Sequence, residues 1–89
     1  MKSSTSTRVT ATGDVATRNT YLRAASLTAG SDAATLVVRA GGSGGAVLFT
    51  LKAPASTSVG VPDLHDLYAA GGVHATLTGT APEATLVYA

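Results

Sequence analysis

Short runs in which apolar and polar residues alternate follow one another along the chain, separated by glycine and proline. A period of two is that of a β-strand with one buried face. The alternation predicts seven strands, at residues 8–12, 21–28, 34–39, 46–52, 57–61, 73–78 and 84–88. Short strands joined by turns are typical of an antiparallel β-sandwich. We therefore predict an all-β fold, a small β-sandwich or jelly-roll-like barrel of about seven to eight strands.

The connections are predicted from glycine and proline. The segments Gly41–Gly45 (GGSGG) and Gly79–Glu83 (GTAPE) supply the positive φ that tight turns need, and each predicts a β-hairpin between the strands on either side. Residues 62–72 (PDLHDLYAAGG) are the one candidate for helix. At about two turns such a helix is shorter than isolated helices tolerate. We expect a 3₁₀ turn, a single helical turn or an irregular crossing loop there.

The two central strands carry apolar residues on both faces. Leu36 and Val38 alternate toward one face, which leaves Val37 on the other, and in the next strand Leu48 opposes Val47 and Phe49. We predict that Val37 and Leu48 lie on the outer surface, where they form an apolar patch with Tyr21 or Tyr88 that serves as a subunit interface. The full set of candidate interface residues is Arg8, Val9, Tyr21, Val37, Leu48, His74 and Tyr88.

Length and composition limit the organisation. The chain has 89 residues, of which 45% are apolar and 12% charged, with a net charge of +1. This is an ordered single domain, which we place at residues 17–89, after an N-terminal Ser/Thr-rich arm and first strand at residues 1–16. A near-neutral chain neutralises few phosphates, so we expect no nucleic-acid binding. Cysteine is absent, so a domain this small is stabilised by packing or by oligomerisation.

Targeting signals are not evident in the sequence. The N-terminal residues 1–8 (MKSSTSTR) are not followed by an apolar signal-peptide segment, and no apolar run approaches the roughly 20 residues that a membrane span requires. We expect a protein made in a cytoplasm, with no membrane partner.

Candidate chemistry is sparse. The cluster Asp63, His65 and Asp66 offers carboxylates and an imidazole, but its spacing matches no standard metal motif, and a solvated loop is the favoured interpretation. The glycine-rich segment 40–48 (AGGSGGAVL) lacks the Lys-Ser/Thr pair of a phosphate loop and precedes a strand rather than a helix. We expect no catalytic residue, no metal and no cofactor, and so no enzyme.

Two stretches carry a resemblance. The stretch "LRAASLTAG-DAATLVVRAGGSGGAVLFTLKAPA" and the C-terminal "GVHATLTGTAPEATLVYA", together roughly residues 20–89, resemble small phage virion proteins that build β-sandwich modules. The resemblance implies a capsid decoration or cement protein, or a module of a head or tail appendage, that assembles as a homo-oligomer, commonly a trimer. It implies the major capsid protein or another virion protein as partner, and the virion as location after synthesis in the cytoplasm of a bacterial host.

The expected function is that of a virion structural protein that docks on a phage capsid and stabilises it. The N-terminal arm at residues 1–16 is the candidate for the gripping element, so deletion of residues 1–12 is expected to abolish docking and to spare the fold. The alternative is a receptor- or glycan-binding module of a tail fibre or spike. A decoration protein is present in hundreds of copies per particle, as an order of magnitude, and a fibre in a few.

Overall fold

The computed structural model describes residues 5–89, and within them the regular structure is entirely β. The alternating pattern is the cause, since successive side chains of a strand point to opposite faces, so that mainly Leu, Val and Ala line the core face while most Thr and Ser side chains lie on the other. The nine strands are β1 (Thr5–Val9), β2 (Gly13–Ala16), β3 (Thr20–Thr28), β4 (Ala34–Ala40), β5 (Val47–Ala53), β6 (Ser58–Val61), β7 (Leu67–Ala69), β8 (Val73–Thr78) and β9 (Glu83–Tyr88).

The strands form two antiparallel sheets in a sandwich-like arrangement. The first sheet has the order β1-β9-β3-β6. The short strand β7 pairs with the beginning of β3, and β6 pairs with its end. The second sheet has the order β2-β8-β4-β5. The all-β antiparallel class predicted from the alternation is confirmed, and the strands are more numerous than expected.

The pairing follows a regular scheme along the chain. β4 pairs with β5, and outward from this central hairpin β3 pairs with β6 and β7, β2 with β8, and β1 with β9. This is the pairing of one long antiparallel hairpin that wraps around the core. Successive strand pairs along the hairpin therefore belong alternately to the second sheet and to the first. As a result every sheet mixes strands from the two ends of the chain.

The core lies between the sheets and consists of small and aliphatic side chains. Leu22, Leu27 and Leu86 of the first sheet meet Leu36 and Val38 of the second, and all five are fully buried. Each such side chain contributes roughly 1.5–3 kcal/mol by leaving water. The remaining buried apolar residues are Val9, Ala25, Ala29, Ala34, Ala53, Ala69, Val73, Ala75 and Ala84.

The structure corrects one expectation about the connections and resolves others. The segment Gly79–Glu83 was expected to form a hairpin, but β8 and β9 belong to different sheets, so it carries the chain across the sandwich. Of the three conformations expected for residues 62–72, the structure shows the irregular loop, which is interrupted by the short strand β7 that the sequence did not predict. Gly13 and Asp14, which lie outside the seven predicted strands, begin strand β2.

The N-terminal segment is not a free arm over the residues described. β1 covers the outer edge of β9 in the first sheet, and β2 covers the edge of β8 in the second. Val9 at the end of β1 is buried in the core. Of the expected arm, residues 1–4 lie outside the described residues.

Candidate functional site

The outer face of the first sheet carries a broad apolar groove. Its volume is about 410 Å³, and its lining is predominantly apolar. The groove runs over the central strands β3 and β9 and along β6. The lining residues are Ala24, Ala25, Ser26, Gly60, Val61, Pro62, Thr85 and Val87.

The groove is shallow because the side chains along it are small. The register places Gly60, Ser26 and Thr85 in one row across the sheet, with Ala24 and Val87 in the next. None of these side chains is ionisable. The result is a flat, uncharged surface, which can pack against another protein but offers no acid, base or nucleophile aligned for catalysis.

Charges on this sheet lie at the margins of the groove. Arg8 on the edge strand β1 forms an ion pair with Glu83, and the guanidinium Nε of Arg23 lies 3.1 Å from a carboxylate oxygen of Asp66. The Arg8–Glu83 pair is largely exposed, so it contributes little to stability. Both pairs neutralise charges around the groove instead of adding a net charge to it.

The outer face of the second sheet has a different character. The register aligns Asp14 of β2, His74 of β8 and Arg39 of β4 in one row. His74 is only 8% exposed, and its Nδ1 lies 2.8 Å from Oδ1 of Asp14. A short contact of this kind fixes the imidazole ring and ties the edge strand β2 to the central strand β8. Histidine and aspartate therefore act here as a structural pair.

An aromatic pair lies on the first sheet where β3 meets β7. Tyr21 and Tyr68 are directly opposed, with ring centroids 5.1 Å apart and ring planes tilted by 40°. Both residues have more than two-fifths of their surface exposed. The pair holds the short strand β7 against β3, and its outward surface is available for stacking.

The seven candidate interface residues do not form one surface in the protomer. Arg8 and Tyr21 lie on the outside of the first sheet, whereas Val37 and His74 lie on the outside of the second. The other three pack against or within the core: Val9, Leu48 and Tyr88. The expected joint patch of Val37 and Leu48 with a tyrosine is therefore wrong.

Leu48 is displaced by a β-bulge. Phe49 pairs with Val38, but the next pair is Val47 with Arg39, so Leu48 is an extra residue in β5. Both Leu48 and Phe49 then pack against the core, and Val47 takes the outer position with 52% of its surface exposed. A bulge reverses the alternation on one side of it, so the outer position predicted for Leu48 belongs to Val47.

The cluster of carboxylates and histidine in the crossing segment serves to shape the loop. Oδ1 of Asp63 accepts a hydrogen bond from the backbone N–H of His65 at 2.8 Å, while Asp66 is directed to Arg23. His65 and Asp66 both have positive φ, which sharpens the turn before β7. Among residues 5–89 no group of three or more His, Asp and Glu side chains is arranged to hold a metal ion.

The sequence interpretation missed the groove and the pairing of Asp14 with His74. The groove residues of β3 and β9 carry a recognisable signal, because small residues alternate there with buried leucines. Asp14 and His74 are far apart in the chain, and the contact depends on β2 being a strand, which the sequence did not indicate.

Comparisons with known proteins identify no relative of the chain. No family model, no curated protein and no solved structure matches the chain. The part of the chain that the structure describes contains no helix able to cross a membrane.

Proposed function

We propose that the protein is a virion structural protein, a decoration or cement subunit that docks as a homo-oligomer on a phage capsid and stabilises it. The observation that carries the proposal is the groove on the first sheet. It is flat, apolar and free of ionisable groups, and the small side chains allow another backbone to approach closely. Such a surface suits a repeating protein shell better than a polyanion or a small polar substrate.

The strand order supports the same proposal. We infer a jelly-roll connectivity: counting β6 and β7 as one interrupted strand gives eight strands paired first with last, second with seventh, third with sixth and fourth with fifth. Jelly rolls recur in viral capsid proteins and in lectins. One fold serves many functions, so the strand order supports the proposal only together with the groove and the resemblance to phage virion proteins.

The proposal is tested on virus particles assembled in cells that express the chain. We expect quantitative mass spectrometry of purified particles to find the protein in hundreds of copies, as an order of magnitude. Ser26→Arg, which puts a long charged side chain into the groove, should remove the protein from the particles. Thr76→Arg is the matched control, because Thr76 is also half-buried and lies on a central strand of the opposite outer face.

Both variants must first be shown to unfold at the same denaturant concentration as the unmodified protein. Particles that carry the Ser26→Arg variant at the normal copy number would contradict docking through the groove. Absence of the unmodified protein from the particles would contradict the proposed function itself.

One observation favours a second function, that of a receptor- or glycan-binding module. The exposed pair of Tyr21 and Tyr68 presents aromatic surface of the kind on which sugar rings stack. A glycan array probed with the unmodified protein and with Tyr68→Ala separates the two functions. Binding that disappears in the variant, with a few copies of the protein per particle, would favour the second.

A further inference from the structure

The open edge of β5 is the feature of the fold that calls for a partner. β5 pairs with β4 on one side, and no strand within residues 5–89 pairs with its other side. A sheet edge presents a row of backbone N–H and C=O groups that an added extended strand can satisfy. With seven residues, β5 is the longest of the edge strands; β1 has five residues, and β2 and β6 have four each.

The core is incompletely covered at this same edge. Phe49 and Leu51 point inward and pair with Val38 and Leu36. The two β4 residues are fully buried, but Phe49 and Leu51 remain partly exposed, as does Leu48 at the bulge. Apolar surface therefore continues from the core to the edge of β5, where a strand added to the sheet would cover it.

We propose that β5 pairs with β5 of a second copy in antiparallel orientation, which joins two second sheets into one across a twofold axis. This rests on the proposed homo-oligomeric function and assigns it an interface. The sequence of β5 is complementary to itself when the axis passes at Thr50. Phe49 then faces Leu51 of the other copy on both sides of the axis, and Thr50 faces Thr50 on the outer surface.

The charge on the strand agrees with this register. Lys52 is the single ionisable residue of β5. In the proposed register it lies opposite Leu48, so the two Lys52 backbones are four residues apart along the strand direction, about 14 Å. That separation exceeds the screening length of about 8 Å at physiological salt, so the two ammonium groups repel each other weakly.

Charges introduced at the twofold axis test the pairing. Thr50 is exposed, so Thr50→Lys and Thr50→Glu leave the core intact, but each puts two like charges face to face. We expect each variant alone to weaken self-association at least about tenfold in analytical ultracentrifugation. An equal mixture of the two should restore it. Thr78→Lys, on the same outer face but on the central strand β8, is the control and should associate normally.

A cross-link gives an independent measurement. The chain has no cysteine, so Thr50→Cys introduces the only thiol, and directly opposed residues of antiparallel strands are close enough for a disulfide. Under oxidising conditions we expect a covalent dimer from Thr50→Cys and none from Thr78→Cys.

The outcomes separate the interface from the function. An oligomer that keeps its mass in Thr50→Lys and Thr50→Glu, or a trimer that forms no Thr50→Cys dimer, overturns the β5 pairing and leaves the proposed function in place. A protein that is monomeric at all concentrations overturns the pairing and the homo-oligomeric part of the proposed function, while its copy number on particles still tests docking on the capsid.

Discussion

Individual glycines determine how closely the turns of this fold pack. Gly72 has a φ of +124°, and a Cβ built there would lie 2.3 Å from the carbonyl oxygen of Ala16 at the end of β2. Any side chain therefore meets an unfavourable backbone conformation and a clash with the neighbouring strand. Gly44, in the β4–β5 connection, has no atom within 4 Å of the same position.

These two glycines give a matched pair of variants. We expect Gly72→Ala to lower the free energy of unfolding by about 1–3 kcal/mol, because the left-handed region is strained for alanine and β2 must shift. Gly44→Ala should change it by less than about 0.5 kcal/mol. Urea denaturation followed by circular dichroism measures both. Equal stabilities of the two variants would contradict the close approach of Gly72 to β2.

At the scale of the element, β5 shows how one extra residue in a strand changes which side chains face solvent. The bulge at Leu48 places Leu48 toward the core and Val47 toward solvent. In a chain without cysteine, a single introduced thiol reports on its own environment. We expect Val47→Cys to react with iodoacetamide much faster than Leu48→Cys under native conditions.

The denatured proteins supply the control for that measurement, since both thiols should then react at the same rate. Equal rates in the native state, or a faster reaction of Leu48→Cys, would show that β5 continues without a bulge.

The sequence predicted strands and their buried faces well where apolar and polar residues alternate regularly. It did so less well where the pairing between strands determines which face a side chain occupies. Leu36 and Val38 were assigned to the buried face from their spacing alone, and they are fully buried. The position of Leu48 depends on how β5 pairs with Arg39, which no local pattern encodes. The candidate interface residues are divided between two outer faces and the core for the same reason, because they were chosen before the pairing of the strands was known.

The crossing at Gly79–Glu83 is another case in which local signals were insufficient. Turn residues mark where the chain reverses, but a hairpin and a sheet-to-sheet crossing use the same glycine and proline chemistry. Leu77 pairs with β4 and Leu86 with β3, so long-range pairing separates the two strands. Which strands pair with β8 and β9 is therefore determined by the complete fold and not by the residues near the turn.

At the scale of the whole molecule, the N-terminal segment closes both sheets on one side. Residues 5–9 pair with β9, and Val9 fills part of the core. Deletion of residues 1–12 was expected from the sequence to spare the fold. The structure changes that expectation, because the deletion would uncover the edge of β9 and remove a buried side chain.

We therefore expect the deletion of residues 1–12 to lower the free energy of unfolding by at least about 2 kcal/mol, the contribution of one buried valine. Val9→Thr, which keeps the strand and adds a hydroxyl to the core, should have a smaller effect. Chemical denaturation measures both. An unchanged unfolding midpoint after the deletion would mean that β1 does not contribute to the sandwich.

The connection between β4 and β5 has a firm base and an open tip. Its base is held by Gly41, whose N–H donates to the carbonyl of Gly72 at 3.1 Å, and by the bond from Ala40 N–H to the Ala46 carbonyl at 3.0 Å. Ser43 and Gly44 at the tip are exposed. Each doubling of the loop length costs only about 0.6 kcal/mol in closure free energy. A foreign peptide inserted between these two residues would therefore be tolerated and would be presented to solvent at the end of a connection whose base is hydrogen-bonded.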